Sequence, residues 1–599
     1  MPSRISRFFD HASKMISASL AIAVATASSL CAQSVPVNAA PKKTAVAATK
    51  RSSLKPKLVV VLVVDQMRAD YIDKFQHQWT GGLKRLIDEG AWFREAAYPY
   101  AGTETCPGHS TISTGAFPAS HGMIANEWWD REQQKDVTCT ADANAKNIAY
   151  AGGKTSGGDG VAKMLVPSFA DELKFQSGSG TRIVTMSLKA RASITLAGHQ
   201  GDAVTWFDGT TGAWLTSSIY PQAPFVEEFV KSHPATADFG KTWSPLLPDS
   251  EYLYEKIADG AGSPSGYGAS FPHPLRGEDG NKGPDASFYR QWGTSPYAET
   301  YLEQMAEAAV NKLSLGQGSA IDFLGISFSS VDYVGHSFGP RSWEVQDELA
   351  RLDRDLAAFF SLLDKKVGRE NFVVAFTADH GVAPIPEELR KTGIDAGRLN
   401  LNEVKTRVDT ALEPFHVSKP AVADISGSDV YFKPETLAKL KSDPSALQAV
   451  IDAMQTAPGV VHVYTAEELQ DRQPTKNPLR SAEAAGFLKS RSGDLLIVPK
   501  PYWIWDSSMP GKPSRGGTSH GTPYFYDQRV PVILMGAGIR PGKYYEGATP
   551  ADIAPTLAVL CGITLSTRDS RVLQEAIASP SSKSTSPTAS SLREKSRIR

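Results

Sequence analysis

The chain has 599 residues, more than one simple hydrophobic core usually holds, and its 41% hydrophobic and 21% charged residues are ordinary for a soluble globular protein. Its formal net charge is −1, so charge gives no indication of a nucleic-acid partner. Too few cysteines are present for a disulfide framework, and one bond with one free thiol is predicted without indication of which pair. The cysteines are Cys31, Cys106, Cys139 and Cys561.

The N-terminus has the pattern of a targeting segment. Three basic residues precede an apolar, small-residue run over 15–30, and an Ala/Pro/Lys-rich stretch follows. This predicts a secretory signal peptide over 1–32 and a flexible leader over 33–56, and therefore a periplasmic or secreted protein. The basic residues are Arg4, Arg7 and Lys14.

The apolar run does not indicate a transmembrane span, because it is short and rich in Ser and Thr. We therefore expect no stable membrane span once the signal is removed. Lipid anchoring at Cys31 is an alternative. Leu30 argues against it, because the residue before a lipid-anchored cysteine is usually small. The exact cleavage position stays open.

Strand-like and helical patterns then alternate along the chain. Residues 57–64 form a continuous apolar run typical of a strand buried on both faces. The alternation predicts an α/β fold with a doubly wound, mostly parallel sheet and helices on both faces. Further strands are predicted over 182–187, 321–328, 372–378 and 530–535, and helices over 82–89, 168–175, 298–313 and 343–366.

Three other stretches depart from this alternation. Residues 192–296 are rich in Gly, Pro, Trp and Tyr, and residues 385–510 carry helices and short strands of their own. We expect both to be insertions that cover one edge of the sheet. The Ser/Thr-rich, basic tail over 580–599 is predicted to be disordered.

Aspartates and histidines follow the strand-like runs. Asp65, Asp332 and Asp379 each come just after such a run, so they are expected at the carboxyl edge of the sheet, where ligands bind. Asp332 and His336 are four apart and would share one side of a helical turn. Three carboxylates with three imidazoles suit two zinc ions. The remaining imidazoles are His380, in the loop TADHG, and His520, in a Gly-rich segment.

A hydroxyl nucleophile is predicted in the segment GTETCPGHSTISTG. By position alone, Thr103, Thr105 and Ser110 all qualify. The histidines of this region, His109 and His121, are expected to be structural residues and not ligands.

These motifs resemble the alkaline phosphatase superfamily, and more closely its nucleotide pyrophosphatase/phosphodiesterase-like branch, whose nucleophile is Thr. The resemblance covers about 57–562, which implies an alkaline-phosphatase-like catalytic domain with insertions at about 192–296 and 385–510. The motifs are VVDQMRADY, TCPGHSTISTG, DYVGHSFGP, FTADHG, SHGTPY and TPADIAPTLAVLCGI.

The resemblance implies the roles of the site residues. Thr105 would be the nucleophile. The first zinc would be held by Asp65, Thr105, Asp379 and His380. The second zinc would be held by Asp332, His336 and His520.

The resemblance also bears on the substrate. Asn126 matches an Asn that binds a phosphoryl oxygen. Lys189 and Arg191 follow a strand as K-x-R, which resembles the phosphate-irrepressible alkaline phosphatases. In an extended chain both side chains would point to one side and bind the extra charged oxygen of a monoester.

The expected function is therefore that of a secreted, zinc-dependent alkaline phosphatase that hydrolyses small phosphate monoesters through a phosphothreonine intermediate. A phosphodiesterase or nucleotide pyrophosphatase of the same superfamily is the alternative. A sulfatase is disfavoured because CPGHS lacks the Arg of that motif, and a vestigial binding protein is disfavoured by the complete ligand set. The sequence does not indicate the physiological substrate or the oligomeric state.

Overall fold

The structure is a computed structural model, and it describes residues 55–178, 180–262, 267–278, 281–471, 475–508, 516–566 and 569–578. The predicted signal peptide over 1–32, almost all of the leader over 33–56 and the tail over 580–599 lie outside these residues and stay predictions. Within the described part of the chain, no helix is long and apolar enough to cross a membrane.

The described residues contain twenty β-strands. They are β1 (Leu58–Val64), β2 (Ala91–Phe93), β3 (Glu127–Asp130), β4 (Lys135–Thr138), β5 (Asn147–Ala149), β6 (Ile183–Ser187), β7 (Ala203–Phe207), β8 (Trp214–Ser217), β9 (Thr242–Trp243), β10 (His273–Pro274), β11 (Asp322–Phe328), β12 (Phe372–Thr377), β13 (Gly397–Asn400), β14 (Val422–Ser426), β15 (Asp429–Phe432), β16 (Val460–Thr465), β17 (Leu495–Pro499), β18 (Trp503–Asp506), β19 (Val532–Gly536) and β20 (Gly542–Tyr544).

Nineteen α-helices connect or flank these strands in the same described ranges. They are α1 (Asp70–Phe75), α2 (Gly82–Glu89), α3 (Thr105–Thr114), α4 (Pro118–His121), α5 (Phe169–Ser177), α6 (Ala190–Ala197), α7 (Pro224–Ser232), α8 (Ala286–Gly293), α9 (Pro296–Leu313), α10 (Ser330–Phe338), α11 (Trp343–Lys366), α12 (Pro386–Lys391), α13 (Leu401–Ala411), α14 (Pro434–Ser442), α15 (Pro444–Gln455), α16 (Ala466–Gln470), α17 (Pro478–Gly486), α18 (Phe525–Gln528) and α19 (Ile553–Cys561).

The central sheet has ten strands in the order β20-β2-β19-β12-β1-β11-β6-β7-β8-β5. Its middle five strands, β12-β1-β11-β6-β7, are parallel, whereas β19 pairs antiparallel with β12 and β8 pairs antiparallel with β7. Strand β1 is the buried centre, in register with β11 from Leu58 opposite Asp322 to Val64 opposite Phe328. The carboxyl ends of the parallel strands therefore meet at one edge.

Both faces of this sheet are covered. Alternate residues of β1, such as Val60 and Leu62, lie in one hydrophobic core with residues of α9 and α11. The intervening Val59, Val61 and Val63 lie in a second core with residues of α5 and α19. This period-two division follows from the pleat of a strand that is buried on both sides.

A smaller sheet, in the order β14-β15-β17-β16, lies within residues 385–510 and has its own core with α13, α14 and α15. Strands β13 and β18 of the same stretch form a separate parallel pair. Of residues 192–296, β7 and β8 belong to the central sheet, because β7 pairs with β6. The part of that stretch beyond β8 contains only the short pair β9-β10 among its described strands.

The predicted α/β fold with a mostly parallel sheet and helices on both faces is confirmed. Each predicted strand and helix occurs, with boundaries that shift by at most two residues, and 82–89 and 343–366 are unchanged. The expected single disulfide is also present. It joins Cys106 to Cys139, while Cys561 is a buried free thiol and Cys31 lies outside the described residues.

Candidate active site

The carboxyl edge of the central sheet brings three buried aspartates together. Asp65 follows β1 and Asp379 lies two residues beyond β12, while Asp332 lies in the first turn of α10, the helix that follows β11. All three side chains are at most 4% exposed. Taking carboxylates out of water is costly unless cations or hydrogen-bond donors compensate them, so this edge requires positive charge.

Lys189 supplies one positive charge. Its Nζ lies 2.6 Å from Asp332 Oδ2 and 2.9 Å from Asp65 Oδ2. Burial alone would lower the pKa of Lys189, but the carboxylates of Asp332 and Asp65 outweigh it and raise the pKa. The ammonium therefore stays charged and ties the ends of β1 and α10 together.

Three histidine rings make the same kind of hydrogen bond, from Nδ1 to a backbone carbonyl. The Nδ1 of His336 lies 2.9 Å from the Thr518 carbonyl, that of His380 lies 2.9 Å from the Gly381 carbonyl, and that of His520 lies 2.7 Å from the Thr103 carbonyl. A carbonyl can only accept, so each Nδ1 donates, which leaves the lone pair on Nε2 whenever the ring is neutral. This tautomer is the one that metal-binding histidines adopt.

The first candidate metal group is formed by Asp332, His336 and His520. Their potential ligand atoms all lie within 4.8 Å of one another. His520 packs on His336 at 5.0 Å and on His380 at 3.6 Å between ring centroids. Burial and the neighbouring charges of His380 and His336 lower the pKa of His520 well below its usual value, so it stays neutral and able to coordinate.

The second group surrounds Asp65 and Asp379. Asp379 Oδ2 and His380 Nε2 are buried 3.3 Å apart, and neither makes a hydrogen bond to any described residue. An unsatisfied buried polar atom costs about 1–3 kcal/mol, which a shared cation would relieve. The Asp379 carboxylate outweighs the effect of burial and raises the pKa of His380 to about 9. A metal ion would displace the proton from His380 Nε2, and the carboxylate and imidazole donors are of the kind that zinc accepts.

His109 lies closer to this group than the sequence predicts. Its Nε2 is 3.4 Å from Asp65 Oδ1 and its Nδ1 is 3.5 Å from Asp379 Oδ2. Both ring nitrogens also lie within hydrogen-bond distance of protein atoms, at 2.9 Å from the Thr105 carbonyl and 3.0 Å from Ser327 Oγ. Because these bonds occupy both nitrogens, His109 fits a positioning role better than a ligand role.

Thr105 is the first residue of α3 and is buried. The helix approaches the end of β12 closely, since a Cβ on Gly108 would lie 2.3 Å from the Asp379 carbonyl oxygen. Only glycine permits this approach, which brings the N-terminus of α3 to the aspartates. Amide N–H groups at a helix N-terminus favour anions.

Asn126 is held beside Thr105 by a small network. Its Oδ1 accepts from the Cys106 N–H at 2.9 Å, and its own N–H donates to Glu104 Oε2 at 2.7 Å. The Cys139 N–H donates to the Asn126 carbonyl, and the Cys106–Cys139 disulfide joins the same two segments. Because Oδ1 faces a donor, the Nδ2 group remains as the donor that Asn126 can offer to an anion.

The extended backbone predicted for Lys189 and Arg191 ends at Lys189. Lys189 has extended backbone angles and precedes α6, whereas Arg191 already lies in the first turn of that helix. The Ala-rich segment KARASITLA favours the helix. Arg191 stays close enough to Lys189 for its charge to partly offset the raised pKa of Lys189, and both charges partly offset the rise that burial causes in the pKa of Tyr333. The Arg191 charge also partly offsets the rise that burial causes in the Glu104 pKa.

Gln66 belongs to the site although the sequence analysis did not identify it. It has a positive φ of 67°. Its backbone N–H donates to Asp379 Oδ1 at 3.0 Å, and its side-chain Nε2 donates to Asp332 Oδ1 at 2.7 Å. A Cβ on Gly335 would lie 1.9 Å from Gln66 Oε1, so that glycine makes room for the amide. Its position after Asp65 was the only indication in the sequence.

Comparisons with known proteins find a family and relatives that this chain resembles over most of its length. The family model described as type I phosphodiesterase/nucleotide pyrophosphatase matches residues 59–523. Alkaline phosphatase PhoV of Synechococcus elongatus is 33% identical, over 85% of this chain and 90% of the relative. Alkaline phosphatase PafA of Elizabethkingia meningoseptica is 32% identical, over 85% of this chain and 92% of the relative.

Two solved structures of alkaline phosphatase PafA are similar to the described fold. The crystal structure of the wild type has a TM-score of 0.79 at 32% identity and covers 88% of this chain and 99% of its own. A variant in which a threonine, an asparagine, a lysine and an arginine are substituted has a TM-score of 0.78 with the same coverage.

We expect Gln66→Met to weaken zinc binding roughly ten- to a hundredfold, because the side chain keeps its volume but no longer orients Asp332. Competition with a chromophoric chelator measures this affinity. Gln346→Met is the matched control, since Gln346 is also buried and hydrogen-bonded but its amide contacts Leu253. Equal zinc affinities in both variants would show that Gln66 has no role at the metal site.

Proposed function

This chain belongs to the type I phosphodiesterase/nucleotide pyrophosphatase family, and we propose that it is a zinc-dependent alkaline phosphatase that hydrolyses phosphate monoesters through a phosphothreonine intermediate. The observation that carries the proposal is the presence of two candidate metal-binding groups, Asp332 with His336 and His520, and Asp65 with His109 and Asp379. The second group lies beside the N-terminus of α3, which contains Thr105. The similarity to alkaline phosphatases over most of the chain supports the monoester activity.

The proposal assigns two zinc ions. Asp332, His336 and His520 would hold one, which their mutual approach within 4.8 Å supports. Asp65, Asp379 and His380 would hold the other together with the Thr105 hydroxyl, which the unsatisfied atoms of Asp379 and His380 support. Bound zinc would lower the pKa of a hydroxyl and offset negative charge on the phosphoryl oxygens and the leaving oxygen.

Thr105 carries the covalent chemistry in this proposal. In the first step its Oγ1 attacks phosphorus, an O–P bond to Thr105 forms, and the bond between phosphorus and the ester oxygen breaks. The proton lost by Thr105 is balanced by the proton that the departing alcohol takes up. In the second step a water oxygen attacks phosphorus, the Thr105 O–P bond breaks, and inorganic phosphate leaves as Thr105 regains its proton.

The surrounding residues orient the phosphoryl group. The Nδ2 group of Asn126 is available to donate to a phosphoryl oxygen, because its Oδ1 accepts from the Cys106 N–H. The N-terminus of α3 adds a favourable dipole for the anion. Lys189 and Arg191 are the proposed partners of the third phosphoryl oxygen, the charged oxygen that a monoester has and a diester lacks.

The substituted PafA variant supports these four assignments. Its substituted threonine and asparagine are 21 positions apart, as Thr105 and Asn126 are, and its substituted lysine and arginine are two positions apart, as Lys189 and Arg191 are. The same residue types at the same spacing, in a protein that aligns over most of this chain, favour equivalent positions.

Export to the periplasm or the medium is part of the proposal. The basic and apolar pattern of residues 1–32 indicates a signal peptide. The Cys106–Cys139 disulfide supports the same location, because disulfides persist mainly in oxidising compartments.

One experiment tests the function directly. The metal-stripped protein is reconstituted with zinc or magnesium and assayed on an aryl phosphate monoester and the corresponding diester. We expect activity only after reconstitution, more with zinc than with magnesium, and a strong preference for the monoester. Full activity without metal would overturn the zinc assignment, and a preference for the diester would favour the alternative, a phosphodiesterase or nucleotide pyrophosphatase.

Thr105→Ala should abolish turnover, whereas Thr105→Ser should keep a substantial part of it, because Ser retains the attacking hydroxyl. Steady-state rates and acid-quench detection of the covalent phosphoprotein measure both effects. Thr103→Ala is the control, since Thr103 is equally buried but its hydroxyl donates to the Thr522 carbonyl. A phosphoprotein that persists in Thr105→Ala would contradict the assignment.

The double variant Lys189→Ala/Arg191→Ala should reduce monoester hydrolysis far more than diester hydrolysis. Loss of a charge-assisted hydrogen bond costs about 1.5–3 kcal/mol, or roughly ten- to a hundredfold in rate. Ratios of kcat/KM for the two substrates measure the effect, with zinc content determined in parallel because Lys189 also contacts Asp65 and Asp332. Equal losses on both esters at full zinc content would contradict the role in substrate choice.

A further inference from the structure

A cavity of about 460 Å³ opens beside the candidate site. Leu188, Phe207 and Tyr289 form the apolar part of its wall, and Gly293, Tyr333 and His336 also line it. The rest of the lining is polar and includes Thr210, Arg290, Thr294 and Ser337. The volume exceeds what a phosphoryl group needs and is ample for one or two aromatic rings. Nothing in the chemistry of phosphoryl transfer itself uses these aromatic residues.

Three of the lining residues connect this cavity to the site. His336 is a proposed zinc ligand, and its side chain is about one-third exposed. Tyr333 directly follows Asp332, and Lys189 Nζ lies 5.0 Å from the centroid of its ring. Leu188 directly precedes Lys189. The cavity is therefore contiguous with the group formed by Asp332, His336 and His520.

The geometry of phosphoryl transfer indicates which part of the substrate lies next to this cavity. The attacking and leaving oxygens lie roughly in line on opposite sides of phosphorus. Thr105 attacks from the N-terminus of α3, next to Asp379 and His109. The leaving oxygen must then lie on the side of phosphorus away from Thr105. The group formed by Asp332, His336 and His520, which the cavity adjoins at His336, would offset its charge.

We propose that the cavity holds the alcohol portion of the monoester and that it favours planar, aromatic ester groups over small alkyl groups. This inference rests on the proposed phosphatase function and specifies the substrate class of that site.

The lining supports an aromatic occupant. The rings of Phe207 and Tyr289 pack edge to face, with centroids 6.1 Å apart. Leu188 and Phe207 are at most 6% exposed and form a fixed apolar wall. Tyr289 packs against Gly212, where a Cβ would lie 2.2 Å from its ring, so the ring is held in place. Rigid aromatic walls bind flat rings through offset or edge contacts.

Gly293 allows the cavity to be filled without disturbing the backbone. It is the last residue of α8, its φ is not in the left-handed region, and a Cβ there would lie 3.8 Å from Tyr333 Cε2, which is ordinary contact. Gly293→Leu therefore places an isobutyl group in the cavity. Gly486→Leu is the matched control, because Gly486 also ends a helix and a Cβ there meets no atom within 4 Å.

The test compares 1-naphthyl phosphate with ethyl phosphate on wild type, Gly293→Leu and Gly486→Leu. We expect Gly293→Leu to lower kcat/KM for the naphthyl ester roughly ten- to a hundredfold relative to that for ethyl phosphate. Loss of an apolar contact in a binding pocket reduces kcat/KM by about this factor. Gly486→Leu should leave that ratio at its wild-type value. Tyr289→Ala, which removes one wall, should change the ratio in the same direction. An unchanged ratio in both cavity variants would overturn the proposal.

A binding measurement separates this inference from the function on which it rests. Phenylphosphonate and methylphosphonate carry the same charged head but cannot be hydrolysed. We expect the zinc-loaded wild type to bind phenylphosphonate more tightly, and Gly293→Leu to remove the difference. Failure of the wild type to hydrolyse any monoester would overturn the proposed function. Equal binding of the two phosphonates by the wild type would overturn the cavity assignment, whatever the hydrolysis results.

Discussion

Three carboxylates buried at one edge of a parallel sheet impose a need for positive charge, and the rest of the site is arranged around it. Asp65, Asp332 and Asp379 cannot remain ionised in this environment without cations or donors. Lys189 supplies positive charge to Asp65 and Asp332, and Gln66 donates hydrogen bonds to Asp379 and Asp332. The histidines, with Nδ1 held by carbonyls, direct their Nε2 lone pairs to the same region. An edge so arranged is suited to metal ions and to an anionic substrate bound through them.

The N-terminus of α3 holds Thr105, the proposed nucleophile, close to those charges. Gly108 permits the close approach of the helix to the end of β12. The Cys106–Cys139 disulfide and the Asn126 hydrogen bonds then fix the residues on either side of Thr105. Such constraints are of the kind that keep reacting atoms in position and reduce the entropy lost on reaching the transition state.

Lys189 has two roles that compete. It neutralises two aspartates, each from a different proposed metal site, and it is also the proposed partner of a phosphoryl oxygen. Metal ions would neutralise the same carboxylates that Lys189 neutralises. In the proposed function, the balance between these cations would link metal binding to the preference for monoesters.

The sequence determined the fold class, because burial on both faces of β1 leaves a continuous apolar run and helices show their own period. It also placed Asp65, Asp332 and Asp379 at strand ends, since that placement is a local property of the chain. Only the tertiary structure decided which distant residues meet. The contact of Lys189 with two aspartates, the pairing of Cys106 with Cys139, and the bridge formed by Gln66 join positions whose separation along the chain carries no information about their distance. The K-x-R spacing did not show that α6 begins between these two residues, so that Lys189 is extended and Arg191 is helical.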